Sequence, residues 1–137
     1  MQELLIAKSI RDEGTRYNYL PPSTYADLDK FLLKTLVRNL RTSPIPIVAG
    51  TTWTTDAPFR ETKSAIAYAE GKSAVCVEME AAALYAFARA RHKKIVCLAN
   101  LTNSMAQTEG DFEKGVENGS IESLKLIAHI LKILKFR

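Results

Sequence analysis

Cysteine is scarce in this chain. Cys76 and Cys97 are the only two, each inside an apolar run. This excludes a disulfide scaffold and reads as two buried thiols in a reducing, cytoplasmic compartment. The six glycines (Gly14, Gly50, Gly71, Gly110, Gly115 and Gly119) are scattered, so there is no phosphate-cradling cluster and no Walker-type loop. No His, Cys and carboxylate spacing fits a zinc site, and the metal expectation is none. His92, in Arg91-His92-Lys93-Lys94, reads as a helix-end cation, and His129 as a packing or surface residue. No apolar run approaches the roughly 18–20 residues that a membrane span needs. The start, MQELLIAK, lacks the basic flank and long apolar segment of a secretory signal. A large excess of one charge is also lacking: 19 Lys+Arg against 15 Asp+Glu leaves +4. That excess is too small and too evenly spread to require a nucleic-acid partner. The basic stretches at 89–94 and 132–137 read as solvated faces.

What remains is ordinary globular composition, 47% apolar and 25% charged over 137 residues, which fits one domain spanning 1–137. Four apolar runs read as strands: Leu4-Leu5-Ile6-Ala7, Ile45-Pro46-Ile47-Val48-Ala49 leading into the threonines of 51–55, Ser73-Ala74-Val75-Cys76-Val77, and Ile95-Val96-Cys97-Leu98-Ala99. The last two are near-continuous apolar runs, as in interior strands covered on both faces. Helical patterns alternate with them at 24–40, about 60–70, about 78–92 and 120–135. In the first, Thr24 with Asp27 three residues on has the capping-box form. Strand and helix alternating in this way predict an α/β domain, a layered mixed sheet flanked by helices. The chain opens inside an apolar strand, whose edge requires cover.

The segment richest in chemistry is Val77-Glu78-Met79-Glu80-Ala81-Ala82-Ala83-Leu84-Tyr85. Two carboxylates stand where a strand turns into an alanine-rich helix. At a helix N-terminus the macrodipole favours each by about 0.3–1 kcal/mol, which is reason enough for them to decorate a first turn. The alternative is functional, because strand C-terminal ends in open α/β sheets face the ligand crevice. A carboxylate there accepts hydrogen bonds from vicinal sugar hydroxyls, and the Met79 thioether packs on the ring. Asp56 before Ala57-Pro58 is a turn former, and TEGDFEKG at 108–115 reads as a loop or a flap.

The segment VCVEMEAAALYAFA resembles the ribose-binding junction of the nucleoside phosphorylase family, which includes purine nucleoside and uridine phosphorylases. SIRDEGTRYNYLPPS, GTTWTTDAPFRET and KIVCLANLTN are similar to further family segments and occur in the family's order. The resemblance implies a phosphorylase/hydrolase-like fold of which this chain is the C-terminal half to two-thirds, the N-terminal phosphate-binding part being absent. It implies phosphorolysis of a ribonucleoside to free base and ribose 1-phosphate, a step of nucleoside salvage with inorganic phosphate as co-substrate and no cofactor. Glu78, Met79 and Glu80 are its ribose-side residues; Thr55, Asp56, Phe59, Asn100 and Thr102 are its base-side residues. Where purine-specific members have Ser-Asp, this chain has Asn100-Leu101, and leucine cannot exchange a proton. The family's habits also imply a homo-oligomer, with neither nucleic acid nor membrane as partner. A nucleoside hydrolase of the same superfold and a non-catalytic member that binds ribosides or self-associates are the alternative expectations.

Overall fold

In the computed structural model the described residues are 2–101 and 119–135. Strand β1 (Gln2–Asp12) is followed by a single helical turn, α1 (Arg16–Tyr19), then by strand β2 (Tyr25–Asp27), helix α2 (Lys30–Asn39) and strand β3 (Ile47–Thr55). Helix α3 (Lys63–Gly71), strand β4 (Ala74–Glu78), helix α4 (Ala81–Ala90), strand β5 (Leu98–Leu101) and helix α5 (Ser120–Lys135) complete it. The sheet is mixed, in the order β2-β1-β3-β4. β3 runs parallel to β1 and to β4, whereas β2 and β5 pair antiparallel with β1.

The opening strand is the centre of this sheet, not its exposed margin. β3 pairs along one edge of β1 from Glu3 to Asp12. The other edge is shared by β5 at residues 2–5 and β2 at residues 8–10. Its second half was illegible as a strand because it is polar: Ser9 and Arg11 are buried through hydrogen bonds, Arg11 with Glu13 just beyond the strand, rather than through apolar packing. β4, expected inside, is an edge strand with Val75 55% exposed. β5 begins at Leu98, three residues beyond the expected start.

The helix expected from residue 24 begins only at Lys30. Residues 25–27 pair with Lys8, Ser9 and Ile10 instead, and Arg11 N–H donates to the Thr24 carbonyl at 2.9 Å. Sheet pairing thus holds residues 25–27 extended, a backbone conformation that a helix start there would forbid. Asp29 provides the cap, accepting from Phe31 and Leu32 N–H at 2.9 Å each. Likewise α3 starts at Lys63, capped by Thr62, after a 3-10 turn at Pro58–Arg60. α5 occupies 120–135 as its periodicity predicts.

The larger apolar cluster joins Leu4, Leu5 and Ile6 of β1 to Leu32 and Leu36 of α2, Tyr85 of α4, and Leu126 and Ile130 of α5. A smaller one packs Ile10 and Trp53 against Ala65, Ile66 and Ala69 of α3. No helix among the described residues is long and apolar enough to cross a membrane.

Candidate functional site

The pleat turns alternate residues to the same face, and the paired strands bring Ser9, Thr52, Thr54 and Glu78 together. Ser9, Thr52 and Thr54 have no exposed surface. Thr52 Oγ1 lies 2.7 Å from Ser9 Oγ, as does Thr54 Oγ1. All three hydroxyls converge on Glu78 Oε1, Ser9 at 3.0 Å, Thr52 at 2.8 Å and Thr54 closer still. Glu78 Oε2 accepts the backbone N–H groups of Glu80 at 2.8 Å and Ala81 at 2.7 Å. Thr54 Oγ1 in turn accepts the Ala82 N–H at 2.9 Å. The first N–H groups of α4, which have no partner within the helix, are thus satisfied from the sheet beneath.

Burial pushes the Glu78 carboxyl upward. Hydrogen bonds from the Ala81 N–H, Thr54, the Glu80 N–H and Thr52 outweigh burial and hold it below the ordinary carboxylate value. It is therefore a committed anion with both oxygens engaged inside the protein. The two carboxylates of the Glu-Met-Glu triplet consequently differ in kind. Glu80 occupies the N-cap position of α4, but its side chain makes no capping bond. It is exposed, with no side-chain hydrogen bond among the described residues, and Met79 beside it is 47% exposed. One carboxylate builds the junction; the other is presented at its surface.

The remaining site residues are dispersed. Thr55 is buried and takes the Ala57 N–H at 3.2 Å. Asp56 accepts the Gly14 N–H at 2.8 Å, tying the end of β3 to the loop after β1. Phe59 projects from the turn, 87% exposed. Asn100 is not at this end of the sheet. It pairs with Glu3 in β1, whereas Glu78 is level with Thr54, which pairs with Arg11. The eight positions from Glu3 to Arg11 correspond to about 25 Å of extended strand. Asn100 Nδ2 donates to Glu3 Oε1 at 3.0 Å, and Ser123 of α5 donates to the same oxygen at 2.6 Å. Thr102 and the 108–115 stretch lie outside the described residues.

Cavities of about 140, 350 and 600 Å³ are lined by other residues, and Glu80 and Met79 are exposed. The second of these, bounded by Ile10, Arg11, Trp53 and Tyr68, adjoins Trp53, which faces away from Thr52 and Thr54 by strand alternation. Among the described residues no group of three or more His, Cys, Asp or Glu is placed to hold a metal ion. Both thiols are free and half-buried rather than fully buried. Burial, then the Glu78 charge, pushes Cys76 up to about 11.

Sequence reasoning missed Ser9, Thr52 and Thr54. The signal was the alternation within Thr51-Thr52-Trp53-Thr54-Thr55, where hydroxyls take the positions that apolar residues fill in an ordinary buried strand.

A mixed sheet flanked by helices, with a carboxylate-anchored strand-to-helix junction, defines the class as a layered α/β domain. The sequence match gives the family: the chain belongs to the phosphorylase superfamily, which it matches over residues 2–135. No curated protein matches the sequence significantly. Among solved structures, AMP nucleosidase from Bacteroides thetaiotaomicron VPI-5482 is similar with 24% identity over 98% of this chain and 55% of that one, TM-score 0.75. Uridine phosphorylase from Vibrio fischeri ES114, complexed with 6-hydroxy-1-naphthoic acid, is similar with 17% identity over 99% of this chain and 56% of that one, TM-score 0.72. The chain thus spans about half the length of these structures.

Proposed function

We propose that this chain supplies the riboside-gripping part of a nucleoside phosphorylase. The observation that carries the reading is the division of labour between the two carboxylates. Glu78 is consumed in anchoring the start of α4, which leaves Glu80 presented beside Met79 as the acceptor for ribose hydroxyls. In the reaction a phosphate oxygen bonds to the anomeric carbon as the bond to the base nitrogen breaks, through an oxocarbenium-like transition state. The base leaves with a proton and ribose 1-phosphate remains. Positioning by Glu80 fixes the sugar for in-line attack. Inorganic phosphate is the co-substrate, no cofactor is needed, and the cytoplasm is the compartment. We assign no phosphate ligand among the described residues.

A second reading, hydrolysis with water in place of phosphate, is supported by the likeness to a solved AMP nucleosidase. Calorimetric titration with uridine, inosine and adenosine, and with their 2′,3′-dideoxy forms, tests the grip. The ribosides bind and the dideoxy forms do not, and Glu80→Gln weakens binding at least about tenfold. The exposed control Glu70→Gln leaves it unchanged. Equal affinity for ribosides and dideoxyribosides overturns the ribose assignment. Release of free base only with phosphate separates phosphorolysis from hydrolysis, and binding without release in either marks a non-catalytic member.

A further inference from the structure

Three hydroxyls reach Glu78, but one of them differs from the other two. Ser9 and Thr52 meet Glu78 Oε1 and their neighbouring hydroxyls within the sheet. Thr54 donates to Glu78 Oε1 and also accepts the Ala82 N–H of α4 at 2.9 Å. The residues it holds, 78 and 82, stand on either side of Glu80. Between them Glu78 Oε2 takes the N–H groups of Glu80 and Ala81. The turn that carries Glu80 is therefore clamped at both ends to one side chain of β3.

We propose that Thr54 is the positioning residue of the riboside site, the one that sets where the Glu80 carboxylate stands relative to the end of β3. The inference rests on the riboside reading and deepens it. Thr54 has no exposed surface, so it touches no substrate and acts through Glu78 and the α4 backbone. Glu80 needs such help. Its side chain makes no capping bond, so its place is set by its backbone, and a binding group must be held within about 0.5 Å of its productive position.

The location of Thr54 suits the task. It lies on the strand between β1 and β4, paired with Arg11 on one side and Glu78 on the other. Its β-branched side chain is stiff at χ1, so the hydroxyl is directed at little entropic cost. Two residues further along, Asp56 holds the Gly14 N–H at 2.8 Å, and the loop after β1 hangs from the same strand end. In the riboside reading Glu80 takes the sugar and Asp56 lies on the base side. Thr54 then fixes the separation of the two sides across the bond that breaks.

Calorimetric titration of the full chain with uridine, inosine and adenosine, run beside amide hydrogen exchange, tests the role. Thr54→Val keeps the shape of the side chain and removes the hydroxyl. It weakens riboside binding at least about tenfold and speeds exchange at Glu80, Ala81 and Ala82. Thr54→Ser, which keeps the hydroxyl, binds within about threefold of the unaltered chain. Thr54→Cys, a weak donor, falls between the two and reads the same effect if the valine variant does not fold. Ser9→Ala and Thr52→Val each leave Oε1 two hydroxyls and weaken binding less than Thr54→Val. Tyr85→Phe loosens α4 at a different attachment and leaves the affinity unchanged, which separates positioning from lost stability. An equal loss of affinity in Tyr85→Phe overturns the proposal, as does failure of Thr54→Ser to retain binding. No riboside binding by the unaltered chain overturns the riboside reading together with this inference. Binding by the unaltered chain that the valine and cysteine variants leave intact overturns this inference alone.

Discussion

Glu78 accepts the backbone N–H of Ala81, three residues downstream, at 2.7 Å, so the last residue of β4 caps the helix that follows it. The same side chain accepts three hydroxyls from β1 and β3. One carboxylate thereby fastens helix to sheet and fixes where Glu80 stands.

Because the folded protein holds the Glu78 carboxyl below its ordinary value of 4.5, ionised Glu78 stabilises the fold. That contribution is complete above the unfolded value and is lost as pH falls through the lower folded one. Glu78→Gln should cost about 2 kcal/mol at neutral pH and should flatten the loss of stability below about pH 4.5. Urea denaturation at a series of pH values measures both. An unchanged acid slope would mean that another group sets it.

Tyr85, 1% exposed, donates its hydroxyl to the Ile6 carbonyl and accepts the Cys97 N–H at 3.1 Å. It thus bridges β1 to the segment entering β5. Tyr85→Phe leaves a buried carbonyl and a half-buried N–H without this partner, and should lower stability by about 2 kcal/mol. Hydrogen exchange at the Cys97 amide should accelerate more than at amides in α3.

Burial is the leading reason that Cys76 and Cys97 are both pushed up to about 11. At pH 8 only about one molecule in a thousand carries the thiolate at either position. Both thiols should react slowly with iodoacetamide in the native protein and at ordinary rates in urea. Mass spectrometry after brief labelling reads the difference.

The turn after α3 is occupied against preference. Ser73 has φ 62°, in the left-handed region, while Gly71, two residues earlier, sits in the helix with open space at its missing Cβ. Ser73→Gly and Gly71→Ala should each stabilise by about 1 kcal/mol, seen as a rise in Tm for each variant and for the pair.

Much of this chain is legible from local physics alone. The leucine and isoleucine repeat of 120–135 fixes α5 because helix periodicity is a property of neighbours in sequence. The change from Val-Cys-Val to an alanine run places the junction at Glu78–Ala81 for the same reason. What periodicity could not reveal was partnership across the chain. Tyr25–Asp27 becomes a strand rather than a helix start because Lys8–Ile10 offers it hydrogen bonds. Glu78 and Glu80, one residue apart and chemically identical, acquire different tasks because Ser9, Thr52 and Thr54 reach only the first. Asn100 is drawn to Glu3 rather than to Glu78 because β5 pairs antiparallel with the start of β1. The sequence by itself determined α5 and the junction between β4 and α4. Only tertiary structure decided which side chains meet, because long-range pairing and the burial of polar groups depend on residues far apart in the chain.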